Sequence, residues 1–241
     1  MSSTSENITL YSTVNSPFSQ RVSVALDEAG VAYDLIDIDL SNKPEWYQQK
    51  VYTKGLVPYL VYGGPKLHPG ETPSSDAIQI PESSVILEFL ADSFPAAGLL
   101  PASPAGRARA RLAVRAVDDA FKHVYPVLGG GPVEPLLAAL EDIQALLPAR
   151  DGSFLAGEGE GWGIADISVV PLLLSLRIVA GVLPGGLAAA LQGERLARLW
   201  RYVDEGATRP SVAKNVDAEI IKSRFLAMVA KRKAAEDAKK D

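Results

Sequence analysis

A small α/β domain of order βαβαββα followed by an all-α domain is the fold class that this 241-residue sequence predicts, on three observations. Short β-type runs alternate with helical patterns through the first hundred residues. A proline-bearing linker at 101–106 then marks a change of composition, and the remainder is helical in period and rich in Ala, Leu and Arg. With 47% hydrophobic and 22% charged residues, the composition is that of a globular chain able to bury one large or two modest cores.

Ile8 to Thr13 reads as the first strand, Ser19 to Ala29 as a helix closed by Gly30, and Asp34 to Asp39 as a second strand. Lys43 to Gln49 fits a helical turn, Val57 to Tyr62 a third strand and Ala77 to Ile80 a short fourth. Ser83 to Ser93 closes the unit as a helix with Val85, Ile86, Phe89 and Leu90 at helical spacing. This order requires a parallel strand pair made by a crossover, with helices covering the sheet. Between strands three and four lies the Gly-, Pro- and Ser-rich stretch Gly63 to Asp76, longer than most hairpin loops, which is either a lid or a tolerated insertion.

Beyond the linker, helices are expected over Arg107–Val127, Glu134–Leu147, Ile164–Val179, Arg195–Glu205 and Ala213–Ala230, with a charged tail at 231–241 that should fray. The domain boundaries are therefore 1–100 and 107–230. Ile167 to Leu191 carries Arg177 as its one charge and suggests a membrane span at first, but Pro171, Pro184, Gly185 and Gly186 interrupt it. A central Arg costs about 2.5–3.5 kcal/mol on insertion scales, so a buried helix and a turn fit better.

Several chemistries are excluded at once. The chain has no cysteine and two histidines, His68 and His123, so disulfides, Cys-ligated metals, a cysteine nucleophile and a histidine-only metal cluster are all impossible. Its net charge is −5, and residues 1–100 hold 5 bases against 12 acids, a balance that repels nucleic acid. Arg107, Arg111 and Arg115 recur every four residues near Asp118 and Asp119, which reads as a salt-bridged solvent face. The opening MSSTSENITLY lacks the basic and apolar regions of a signal peptide, and a cytoplasmic location is expected.

Four short segments carry chemistry. In NSPFSQR, Ser16 stands where strand one turns into helix one and Pro17 pre-sets the first turn; its hydroxyl is either a simple N-cap or part of an anion site at the positive helix end. In KGLVPYL, the Val57-Pro58 bond either marks a strand start or is cis, leaving backbone groups for an extended peptide-like ligand. In PESSV, Glu82 offers a carboxylate for an ammonium group, while Ser83 and the helix-start amides offer donors for a carboxylate. In NKPEW, Lys43 could meet a second carboxylate, with Trp46 as a wall beneath it.

Together these segments describe a ligand with a zwitterionic head, a central peptide unit, a terminal carboxylate and an electron-rich group beside Ser16, which is a description of glutathione. With NKPEW, GLVP and ES in order at near-matching spacing, the chain resembles the glutathione transferase superfamily over nearly its whole length, and most of all the omega class. The resemblance implies a thioredoxin-like first domain and an all-helical second one. It also implies that Ser16 faces the glutathione sulfur with Phe18 beside it, Lys43 the glycyl carboxylate, Val57 with Pro58 the cysteinyl backbone, and Glu82 with Ser83 the γ-glutamyl head. That class normally has a cysteine before Pro-Phe. Here the residues are Ser16-Pro17-Phe18, as in a serine-bearing omega-like subgroup from fungi whose long Pro/Ser-rich loop is similar.

A second departure is Gly163, three residues before Asp166, where the family usually has Ser or Thr; Asp166 is expected to stay structural. The expected activity is conjugation of glutathione to electrophilic aromatic molecules, with reduction of organic hydroperoxides as a possible companion and no metal. The alternative is ligandin-type binding of phenolic molecules. The second-substrate cleft would draw on Phe18, Phe121, Tyr125, Leu172 and Leu176, although Phe121 and Tyr125 at helical spacing are equally well explained as core. A homodimer follows from the resemblance alone, and neither a nucleic acid nor a membrane partner is expected.

Overall fold

Central in the first part of the chain is strand β1 (Ile8–Ser12), buried along its whole length because it is paired on both sides. The computed structural model describes residues 6–149, 153–155, 161–183 and 186–237, and the chain divides into two units between Ala97 and Gly98.

In the first unit, β1 runs parallel to β2 (Asp34–Asp37) and antiparallel to β3 (Tyr59–Tyr62), which pairs with β4 (Ile78–Pro81), giving the sheet order β2-β1-β3-β4. Helix α1 (Pro17–Glu28) makes the crossover that the parallel pair requires, and Gly30, at φ +65°, supplies the left-handed residue that turns the chain after it. Helix α2 (Ser83–Ser93) packs on α1. The two-residue side-chain period separates two cores. Leu10 and Leu60 are fully buried with Val22, Leu26, Ile86 and Leu90 on the helix side, at roughly 1.5–3 kcal/mol for each large apolar side chain. Tyr11, Tyr59 and Val61 point to the opposite face, where Ile36, Ile38, Tyr47, Leu67 and Ala77 complete a second cluster.

That second cluster settles what the long loop does. Leu67 of the Gly63–Asp76 stretch is buried in it, Lys50 Nζ donates to the Gly70 carbonyl at 3.0 Å, and Asn7 Nδ2 donates to the Gly64 carbonyl at 2.8 Å. The stretch is a cover for the outer face of the sheet. The helical turn expected at Lys43–Gln49 is a π-type turn at Tyr47–Val51, and Val57 and Pro58 precede β3.

The second unit is helical throughout its described residues, with several boundaries corrected. Helix α3 (Pro104–Phe121) starts inside the expected linker, because Ser103 caps it by accepting the Gly106 N–H at 3.0 Å. The helix expected to reach Val127 breaks at Lys122–His123 and resumes as α4 (Val124–Leu128). Helices α5 (Glu134–Ala145) and α6 (Ile164–Ala180) follow, then α7 (Leu187–Leu191), a short helix where the glycines predict a turn. After α8 (Ala197–Ala207), the single helix expected over Ala213–Ala230 is two, α9 (Pro210–Asn215) and α10 (Ala218–Asp237). Asp217 accounts for the break: its Oδ1 accepts the Glu219 N–H at 2.9 Å and the Ile220 N–H at 3.0 Å and starts a new helix. The tail expected to fray from residue 231 continues as helix to Asp237, and residues 238–241 lie outside the described residues, as do Pro184, Gly185 and part of the Gly157–Gly163 loop.

α6 is the core helix of this unit. Ile164 to Leu176 is buried without interruption, and Arg177 pairs with Asp204 at 2.5 Å while lying over the Trp200 ring. Among the described residues no helix is long and apolar enough to cross a membrane. At the helix start, Asp166 is completely buried: Oδ1 accepts the Leu155 N–H and the Tyr202 O–H, both at 2.7 Å, and Oδ2 accepts the Gly163 N–H at 3.1 Å. Burial pushes its carboxyl up to about 6 against the pull of these donors. Gly163 thus retains half of a capping box through its backbone, and Asp166 is structural as expected. The arginine stripe is salt-bridged at Arg115–Asp119, 2.6 Å, whereas Arg107 Nε turns back to the Pro101 carbonyl at 2.8 Å.

Candidate functional site

Strand registers bring the four motifs to one end of one sheet. Tyr11 faces Tyr59, and Tyr59 faces Pro81, so the chain leaving β1, the chain entering β3 and the chain leaving β4 are neighbours. Those segments carry Ser16, Val57-Pro58 and Glu82-Ser83. The parallel pairing of Ser12 with Asp37 adds the chain leaving β2, which leads to Lys43.

Ser16 is the N-cap of α1. Its backbone is extended at φ −94° and ψ 114°, and its Oγ accepts the Ser19 N–H at 3.3 Å. A hydroxyl that caps as an acceptor keeps its own proton for another partner. The turn holding it is tied from both sides: Ser16 N–H donates to the Thr13 carbonyl at 3.1 Å, and Gln20 Nε2 donates to the Val14 carbonyl at 2.8 Å. Ser16 and Phe18 are half-buried.

Glu82 is the non-glycine residue with positive φ among the described residues, at φ 69° and ψ 114°. Such a backbone costs on the order of 1–3 kcal/mol and persists where the surroundings impose it. It also leaves α2 without a side-chain cap, so the first-turn amides stay open to an anion. The Glu82 side chain is exposed and, among the described residues, carries no hydrogen bond or ion pair. Ser83, 6% exposed, accepts a hydrogen bond from Arg21 Nη1 at 3.2 Å.

Val57 is joined to Pro58 by a cis peptide bond, and neither its N–H nor its carbonyl has a hydrogen-bond partner among the described residues. The residue before it is anchored, since Tyr47 Oη donates to the Leu56 carbonyl at 2.7 Å. Lys43 Nζ lies over Gly55: a Cβ there would sit 2.9 Å from the ammonium and 2.7 Å from Gln48 Cγ, and Gly55 has φ +61°. Lys43 makes no ion pair among the described residues. Trp46 packs against Tyr11 and Tyr47 in the outer-face cluster.

This arrangement offers an uncommitted carboxylate beside open helix amides, an open backbone N–H and C=O pair, an uncommitted ammonium, and a capping hydroxyl with a proton to give. Those are the groups that would hold a γ-glutamyl head, a central peptide, a terminal carboxylate and a thiolate, so the residues fit glutathione. The phenols of the outer-face cluster stay protonated near neutral pH. Burial pushes Tyr11 up to about 12, with Glu71 and Tyr59 adding to the effect, and burial raises Tyr47 and Tyr59 as well.

The five residues expected along a second-substrate wall separate by exposure. Leu172, Leu176 and Phe121 are buried, whereas Tyr125 is 71% exposed. Three contributors escaped the sequence reading: Arg21, Gly55 and Tyr47. Arg21 had a visible signal, since it is the first base in the chain and lies among the apolar positions of α1.

Residues 10–98 match the family model of the glutathione S-transferase N-terminal domain. The chain is 30% identical over 175 residues to glutathione S-transferase L3 of Arabidopsis thaliana, covering 70% of this chain and 67% of that protein. Its structure resembles glutathione transferase Omega 1C of Trametes versicolor, with TM-score 0.84 and 35% identity over 93% of this chain and 97% of the other. It also resembles Omega 2S of the same organism in complex with 2,4-dihydroxybenzophenone, with TM-score 0.82 and 38% identity over 92% and 99%. The four-stranded thioredoxin-like unit, the helical unit and these likenesses lead to one conclusion: the chain belongs to the glutathione transferase family, with its likeness to the omega class.

Proposed function

We propose that this chain is a serine-type, omega-like glutathione transferase that adds the glutathione thiolate to electrophilic, chiefly aromatic, small molecules. The observation that carries the reading is the Ser16 hydroxyl, which caps α1 as an acceptor and so keeps its proton to donate to a sulfur anion at the positive end of that helix. Lowering a thiol pKa from about 8.5 to about 6.5 stabilises the anion by about 2.7 kcal/mol relative to the thiol. In this reading Lys43 takes the glycyl carboxylate, Val57 before Pro58 pairs with the cysteinyl backbone, and Glu82 with Ser83 takes the γ-glutamyl head. Phe18 flanks the sulfur. A cysteine at the position of Ser16 would form a mixed disulfide with glutathione; a serine supports addition, and reduction of organic hydroperoxides by glutathione itself.

A second reading, ligandin-type binding of phenolic molecules, draws support from the 2,4-dihydroxybenzophenone bound to the similar Trametes structure. The exposed Tyr125, with an aromatic face and a polar tip, suits such a ligand. We further infer a cytoplasmic homodimer, on family likeness.

The test is glutathione conjugation to a chlorinated nitroarene. Ser16→Ala should slow it about 25-fold at pH 7, because a thiol pKa back at about 8.5 leaves about 3% thiolate against about 75% at about 6.5, with about 1 kcal/mol lost from folding stability through the cap. An unchanged rate overturns the reading. Ser16→Cys should gain removal of glutathione from mixed disulfides. A phenol that raises the melting temperature while wild-type conjugation stays at background selects the binding reading instead.

A further inference from the structure

Arg21 is completely buried in α1, five residues beyond Ser16, and reaches across to α2. Its Nη1 donates to Ser83 Oγ at 3.2 Å, and its guanidinium carbon lies 5.4 Å from the centre of the Phe18 ring. The side chain therefore touches both ends of the candidate site, the sulfur end through Phe18 and the γ-glutamyl end through Ser83. A guanidinium has donors and no acceptor, so Ser83 can meet it in one sense only, as the acceptor. The Ser83 proton then points away from Arg21. A hydroxyl polarised by a cation behind it, at the start of an eleven-residue helix without a side-chain cap, is set to donate to an anion.

Building on the glutathione reading, we propose that Arg21 is a positioning residue that makes the γ-glutamyl end of the site selective for a carboxylate. It acts through Ser83 and touches no substrate. Its charge adds to the field of the α2 N-terminus, and the bond it donates to Ser83 Oγ leaves the hydroxyl proton to be given to a carboxylate.

The test compares glutathione with its analogue lacking the γ-glutamyl carboxylate, γ-aminobutyryl-cysteinyl-glycine, by binding and by KM and kcat for conjugation. Wild type should prefer glutathione. Arg21→Met should shrink that preference at least tenfold, about 1.4 kcal/mol, through KM, with kcat at saturation held within about twofold. Arg21→Lys, which keeps a donor and the charge, should lose less. Ser83→Ala should lose about as much as Arg21→Met, and adding an Arg21 substitution to it should lose little more. A folded Arg21→Met that keeps the wild-type preference overturns the proposal. So does a combination with Ser83→Ala in which the two losses multiply, since that is what packing alone would give. Should Arg21→Met fail to fold, Arg21→Lys alone and in the Ser83→Ala background decides by the same non-additivity. A wild-type chain that binds neither peptide defeats the glutathione reading itself, whereas binding of both with equal affinity defeats only the role of Arg21.

Discussion

Two helix starts in this molecule treat the same problem in opposite ways. At the N-terminus of α6, Asp166 is sealed from solvent, and each of its oxygens accepts a hydrogen bond from a neighbouring group. At the N-terminus of α2, Glu82 is exposed, sits on a positive-φ backbone and caps nothing. Every helix leaves orphan amides at its start, and a structural helix satisfies them internally. A helix start left open, on a strained backbone and next to a buried cation, has room for a partner from outside. On the proposed glutathione reading, the first acid serves stability and the second binding.

The largest effect expected from breaking this contrast is at Asp166. Asp166→Ala leaves the Leu155 and Gly163 amides and the Tyr202 hydroxyl without their acceptor in the core of the helical unit, which should destabilise the fold by about 3–5 kcal/mol. Urea unfolding measures this, and a loss under 1 kcal/mol would show that the cluster is replaceable by solvent.

Asp166→Asn removes the titrating group and keeps one acceptor oxygen, at the loss of the other acceptor, and the pH dependence of the difference isolates the charge. In the folded chain the Asp166 carboxyl titrates near 6, above its ordinary 3.8, because burial disfavours the anion. Between those two values the native state binds more protons than the unfolded state, so the contribution of Asp166 to stability falls as pH rises through that window. The whole change is roughly 3 kcal/mol at about 1.36 kcal/mol per pH unit. The advantage of wild type over Asp166→Asn should therefore be greatest near pH 4 and shrink toward pH 7, and an advantage that grows with pH would contradict the burial argument.

The sequence disclosed these two regions unequally, for physical reasons. The order of strands and helices in the first unit was legible because each strand is a short apolar run and each break is marked by Gly or Pro, as at Gly30 and Pro58. Ser16, Val57 and Glu82 were legible as motifs, since local chemistry at a helix start or strand entry depends on adjacent residues. What depends on residues distant in the chain was not. The Arg21–Ser83 contact spans 62 positions, and the seat of Lys43 over Gly55 needs a turn that no periodicity announces. The helix breaks at Lys122–His123 and Asn215–Asp217 were missed because continuous helical period outweighs a single capping side chain when read along the chain.

The smallest expected effect carries the clearest sign. Glu82→Gly removes the Cβ that makes φ 69° unfavourable, while glycine adds about 0.5–1 kcal/mol of backbone entropy to the unfolded chain. Because the strain is on the order of 1–3 kcal/mol, the net change in folding stability should be a gain of about 1 kcal/mol. The same substitution deletes the uncommitted carboxylate, so glutathione affinity should fall as stability rises. Asp166 cannot produce that opposition, since its removal weakens the fold and adds nothing to binding. If Glu82→Gly lowers the melting temperature and leaves glutathione affinity untouched, the strain at Glu82 serves packing, and the contrast between the two helix starts is lost.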